Sequence, residues 1–234
     1  MAAASDPEVV LLPSPLLGPA VWRPVAEVLR SRGRPVTEST APTAAPRTPA
    51  DVLQGLLAGI PQDRPSVLVP HSNAGYFVPG LATRRDVVAV VYVDAGVAPA
   101  LGEAALAAPE LLEQLEALAG PDGLLPPWTA WWDAHEVDAL FPDLASRHAV
   151  EAEQRRLPLA YFRSHVAVPA GWDVGLRSAY LSFGEAYADQ LARARRSGWP
   201  SRRLDGAGHL HMLVDPGGVA DEIERLLLLT QRSD

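Results

Sequence analysis

The sequence predicts an α/β fold: a mostly parallel sheet of about six strands, helices on both faces, and a helical insertion after the fourth strand. Three observations carry this. Short apolar runs alternate with stretches of helical period, and the connections between them are short, as in parallel sheets covered on both sides. The alternation stops between Pro99 and Trp172, where the period is helical throughout. The chain is 234 residues long, 48% hydrophobic and 21% charged, enough to bury one large core.

Each element follows in order. Glu8–Leu12 is a buried strand ending at Pro13. Val21–Leu29 is an amphipathic helix with Pro19 near its start and Gly33 beyond its end. Pro35–Ser39 is a weak second strand, and Thr40–Pro49 a loop. Thr48-Pro49-Ala50-Asp51 opens a helix running to about Ile60, with a capping hydroxyl, then proline, then an acid. Ser66–Val69 is the third strand. Asn73–Leu81 starts as a helix that Pro79 should end or kink. Val87–Val93 is the clearest buried strand. Leu101–Ala119, Trp128–Phe141 and Leu144–Arg155 are expected as helices with no strand between them. Ser178–Phe183 (strand), Glu185–Arg196 (helix), Arg202–Leu204 (strand) and Pro216–Leu229 (helix) complete the chain. The expected division is a core of residues 1–98 and 173–234 around an inserted unit of residues 99–172.

Composition removes several chemistries. The 20 basic residues are all Arg, and the net charge is −8. An acidic chain without a basic run is a poor ligand for nucleic acid or an anionic membrane. Without Cys there is no disulfide, thiolate nucleophile or zinc–thiolate site, and without Lys no Schiff base. No apolar run approaches the ~18 residues of a membrane span. Asp6 and Glu8 replace the basic region of a signal peptide, so a cytoplasmic location is expected.

Three residues stand out as catalytic candidates. The third strand runs into Pro70-His71-Ser72-Asn73-Ala74-Gly75, and a helix follows. A serine on such a tight turn is held above the sheet, at a helix start that favours developing negative charge. Small residues belong two before and two after it; Ala74 meets this and Pro70 does not. Asp205-Gly206-Ala207-Gly208-His209-Leu210-His211 follows the last strand, and His209 is placed to meet Ser72. His-x-His also suits a metal, but no further ligand stands at a telling spacing, so no metal or cofactor is expected. Glu185, after the fifth long strand, is the favoured carboxylate to orient the imidazole, and Asp94 its rival.

The order serine, acid, histidine on successive strand ends resembles the α/β-hydrolase superfamily over nearly the whole chain. Pro13–Trp22 resembles its oxyanion loop, His71–Gly75 its nucleophile elbow, Val91–Pro99 the strand feeding its lid, and Gly208-His209 with Asp215-Pro216 its histidine loop and closing helix. The stretches His-Ser-Asn-Ala-Gly and Gly-His-Leu-His-Met-Leu are similar to those of small uncharacterised actinobacterial members. The resemblance implies Ser72 as nucleophile, His209 as general base, Glu185 as orienting acid and residues 99–172 as a lid. It implies a serine hydrolase that cleaves a carboxylic ester, lactone or thioester through an acyl-enzyme.

One departure bears on that chemistry. Pro13-Ser14 stands where the family has His-Gly, and the oxyanion donor position falls on Pro15, which has no N–H. Asn73 N–H is one expected donor; Leu16 N–H or the Ser14 hydroxyl must supply the other. The aligned hydroxyl is reminiscent of hydroxynitrile lyases, so non-hydrolytic acid–base chemistry, a lyase or cyclase of a natural-product intermediate, is the second reading. A non-catalytic binding module is the third. Trp128, Trp131 and Trp132 read first as packing the lid onto the body and second as a wall for a small apolar or aromatic substrate.

Overall fold

In the computed structural model, residues 6–39 and 46–231 are described. Six strands form one sheet: β1 (Glu8–Leu12), β2 (Val36–Glu38), β3 (Ser66–Ser72), β4 (Val87–Ala95), β7 (Arg177–Phe183) and β8 (Ser201–Leu204). Their order is β2-β1-β3-β4-β7-β8, and every pairing is parallel. The apolar runs read from the sequence are these strands. Val9–Leu12, Leu68–Val69 and Val90–Val93 are shut away from solvent, as strands covered on both faces must be. Part of the expected Thr40–Pro49 loop lies outside the described residues.

Helices α1 (Arg23–Ser31), α2 (Pro49–Ala58), α3 (Val78–Ala82), α8 (Ala188–Arg196), α9 (His211–Val214) and α10 (Pro216–Thr230) cover the sheet. α10 packs on α1, β4 and β7; α8 packs on β7 and β8; α2 packs on α3. Thr48 and Asp51 form the capping box that starts α2, each side chain bonded to the other's backbone N–H. Pro79 neither ends nor kinks a helix. A 3-10 turn over Asn73–Phe77 gives way to α3 at Val78, and Pro79 sits in the first turn of α3, where its missing N–H costs nothing.

The stretch between β4 and β7 differs from expectation. It holds α4 (Pro109–Leu118), α5 (Ala134–Asp138), α6 (Leu144–Glu153) and α7 (Leu159–Phe162), but also a strand pair, β5 (Gly102–Ala105) antiparallel to β6 (His165–Val168). Gly-Glu-Ala-Ala has helical propensity; cross-strand pairing overrides it. The expected helix over Trp128–Phe141 is a 3-10 turn at Trp128–Ala130, and α5 begins only after Asp133, whose carboxylate caps His135 N–H. The exit from β4 is held firmly: Arg193 donates to the carbonyls of Val97 (2.8 Å) and Ala98 (2.6 Å), and Gln190 accepts from Val97 N–H.

Because β2 and β3 flank β1 on opposite sides, the chain reverses its direction of growth at β1. Crevices at such a point, beyond the carboxyl ends of the strands, are where α/β sheets bind ligands. The loop after β1 carries Leu16, and the end of β3 carries Ser72, to that edge.

Candidate active site

Ser72 ends β3 with φ 56° and ψ −128°. A non-glycine residue held there costs about 1–3 kcal/mol and persists only when its surroundings impose it. Gly75 is what the turn demands: a Cβ on it would come within 2.0 Å of the Gly96 carbonyl oxygen. The elbow therefore forms with Pro70 in the strand, opposite Leu12 of β1. The small residue it needs lies three positions after the serine.

The next strand end supplies a carboxylate. Asp94, near the end of β4, is fully buried and takes φ 42°, which turns its side chain along the sheet edge. Oδ1 accepts the Phe183 N–H of β7 (2.9 Å), and Oδ2 accepts the Nδ1–H of His209 (2.6 Å). Both oxygens thus have hydrogen-bond donors, as a buried carboxylate requires. Next to it the Tyr180 hydroxyl donates to the Ala95 carbonyl (2.7 Å) and accepts Ala95 N–H (3.1 Å), pinning the strand end.

Glu185 is not brought to the imidazole. Its side chain is 74% exposed and pairs with Arg203 on β8, so it lies at the cavity rim, directed away from His209. The turn after β7 carries it outward, and an adjacent guanidinium in water is the better partner. The carboxylate on His209 belongs to Asp94.

His209 is enclosed by rings. Tyr187 stacks on it at 5.7 Å between centroids, and His71 at 4.4 Å and Trp128 at 6.0 Å lie tilted to it. His71, fully buried, donates its Nε2–H to the His209 carbonyl (3.0 Å). Burial, and then the neighbouring His209, hold its pKa well below the usual imidazole value, so it stays neutral. Sequence reading passed over Tyr187, which sits just before α8 and places its hydroxyl 3.2 Å from Ser72 Oγ. Burial, and then Tyr76, push its pKa up. No hydrogen bond joins Ser72 Oγ to His209 among the described residues; the serine hydroxyl rests on Tyr187.

The turn after β1 is shaped by backbone. Ser14–Leu17 is a turn closed by Leu17 N–H on the Ser14 carbonyl (3.0 Å). Pro15 occupies its second position, where the fixed φ of proline suits the turn. The central N–H, that of Leu16, is then left with only a long 3.5 Å contact to Ser14 Oγ. The Leu16 carbonyl accepts Arg155 N–H (3.3 Å), which fixes the peptide from the inserted segment. Asn73 N–H stands at the start of the 3-10 turn that follows Ser72. The Asn73 side chain is committed elsewhere: Nδ2 donates to the Leu106 carbonyl (2.9 Å), and Oδ1 accepts the Tyr161 hydroxyl (2.5 Å).

Ser72, Asn73, Leu16, His209 and Tyr187 open on one cavity of about 780 Å³, and Trp128, Trp131 and Trp132 form part of its wall. Ser14, although buried, does not line it. Trp131 is fixed by its Nε1–H on the Pro126 carbonyl (2.9 Å), and Trp132 is the exposed member.

No protein-family model and no curated protein matches the chain, so the likeness to actinobacterial members rests on its motifs alone. Solved structures do match. An extracellular α/β-hydrolase from a Paenibacillus species superposes with a TM-score of 0.73 at 15% identity, covering 94% of this chain and 99% of that one. Polyneuridine aldehyde esterase gives 0.67 at 18%, covering 97% and 100%. Tomato methylketone synthase I, a variant complexed with β-ketoheptanoate, gives 0.67 at 16%, covering 96% and 98%. The chain has the α/β-hydrolase fold.

Proposed function

We propose that this protein is a serine hydrolase acting on an ester, lactone or thioester of a small apolar or aromatic molecule. Ser72 is the nucleophile, His209 the general base and Asp94 the acid that orients it. The observation that carries this reading is the convergence of a strained serine at the end of β3 and a buried Asp94–His209 pair at 2.6 Å, both at one cavity. Asp94 holds the imidazole with Nδ1 protonated, so Nε2 is the nitrogen free to take the serine proton. Attack of Ser72 Oγ on the acyl carbon gives a tetrahedral oxyanion, received by the N–H groups of Asn73 and Leu16. His209 then passes the proton to the leaving group, and water hydrolyses the acyl-enzyme by the same route.

Residues 99–172 are the lid of this reading, and their tryptophans form the apolar wall for the substrate. A cavity of about 780 Å³ suits a ligand of drug-like size. The test is labelling by a fluorophosphonate serine probe, with turnover of a panel of aryl and alkyl esters. Labelling that Ser72→Ala and His209→Ala each abolish supports the reading; each substitution should also lower kcat by at least about 10³. Lack of both labelling and ester turnover rejects it.

A second reading, lyase or cyclase chemistry on the same fold, is favoured by the missing N–H at Pro15 and by the synthase among the structural neighbours. It predicts proton transfer by His209 without an acyl-enzyme.

A further inference from the structure

We infer that Tyr187 is a further catalytic residue, whose phenolic hydroxyl donates a hydrogen bond to Ser72 Oγ and assists that oxygen when it leaves in deacylation. The inference rests on the serine-hydrolase reading of the same site. Three observations carry it. The hydroxyl lies 3.2 Å from Ser72 Oγ, the oxygen whose bond to the acyl group forms and breaks. The Tyr187 ring stacks on the His209 imidazole with 25° between planes, so both rings flank the nucleophile. Both side chains line the cavity, which places the contact where the substrate reacts.

Either hydroxyl can donate across this contact in the free enzyme, but once Ser72 is acylated its Oγ carries no hydrogen, and Tyr187, kept protonated by burial, is the donor. In the acyl-enzyme, Ser72 Oγ is the bridging oxygen of an ester. A hydrogen bond to it withdraws electrons from the acyl carbonyl. Water then adds to that carbonyl carbon and loses its proton to His209. When the tetrahedral intermediate collapses, the carbon–Oγ bond breaks. Oγ takes the electron pair and receives the proton from the His209 imidazolium. Tyr187 keeps its own proton throughout and stabilises the charge while it resides on Oγ. The same bond opposes the first attack slightly, because it lowers the basicity of the nucleophile. Acylation by an activated ester therefore gains little from it.

Tyr187→Phe keeps the ring and its stacking and removes the hydroxyl. With a p-nitrophenyl ester, the variant should show a burst of about one nitrophenol per enzyme, followed by a steady state slowed about 10–100-fold. That factor is the worth of one hydrogen bond to a charged oxygen. kcat/KM, which reports acylation, should change less than about threefold, so KM falls with kcat. If kcat and kcat/KM fall together, or if neither falls, Tyr187 has no such role. Should the phenylalanine variant fail to fold, 3,5-difluorotyrosine at position 187 preserves the shape and strengthens the donor. It should raise kcat at a pH where the phenol stays protonated, and an unchanged or lower kcat refutes the inference. Fluorophosphonate labelling of the wild type separates the two levels. With labelling intact, a negative burst experiment removes only Tyr187; absent labelling and turnover remove the hydrolase reading and this role with it.

Discussion

Removing the carboxylate of Asp94, itself fully buried, leaves the Nδ1–H of His209 without its acceptor. Asp94→Ala should lower kcat by about 10⁴, the scale seen when an orienting acid is lost and the imidazole takes the wrong tautomer. Glu185→Ala should stay within about threefold of wild type, since it breaks only an exposed pair with Arg203. Side-by-side kinetics decide between the two acids. Ser14 permits a second single-residue test. Its hydroxyl meets Leu16 N–H only at 3.5 Å and does not face the cavity. Ser14→Ala should therefore be nearly silent in kcat, whereas a loss of about 10²–10³ would make the hydroxyl the oxyanion donor.

At the scale of elements, the elbow depends on how closely β3 and β4 approach. Gly75→Ala drives a methyl to 2.0 Å from the Gly96 carbonyl oxygen, which has no flexible tip to yield. The substitution should cost about 3 kcal/mol, read as a lower denaturant midpoint, and should displace Ser72. Ser72 and His209 were legible in the sequence because each sits in a short motif between a strand and a helix. The choice between Asp94 and Glu185 was not. Both follow strand ends. What separates them is the positive φ at Asp94, which turns its carboxylate toward His209, and the pull of Arg203 from the neighbouring strand on Glu185. Tyr187 left no trace because it reads as the start of a helix that begins only at Ala188. β5 and β6 were hidden because their pairing is made across about sixty intervening residues, a distance no local pattern spans.

For the molecule as a whole, His71 sets an acid limit on stability. Folded, its pKa is held well below 6.5, whereas in the unfolded chain the ring titrates normally. Below about pH 6.5 the unfolded state binds a proton that the folded state refuses, so stability is full above that pH and falls as pH drops. The slope from this one group approaches about 1.4 kcal/mol per pH unit. Denaturant titrations between pH 7.5 and 5 should show it, and His71→Asn should flatten it. The insert grips the elbow through Leu106 and Tyr161 on Asn73, and the turn after β1 through Arg155 on Leu16. Its root at β4 is bolted to α8 by Arg193 and Gln190 before the chain departs. On the serine-hydrolase reading, displacing residues 99–172 loads the two peptides assigned to the oxyanion and, through Trp128, the ring packed on His209, while Asp94 keeps its own anchor on Phe183 of β7. On that reading, substrate entry past the insert bears on charge stabilisation through backbone peptides, while the orienting carboxylate stays tied to the sheet.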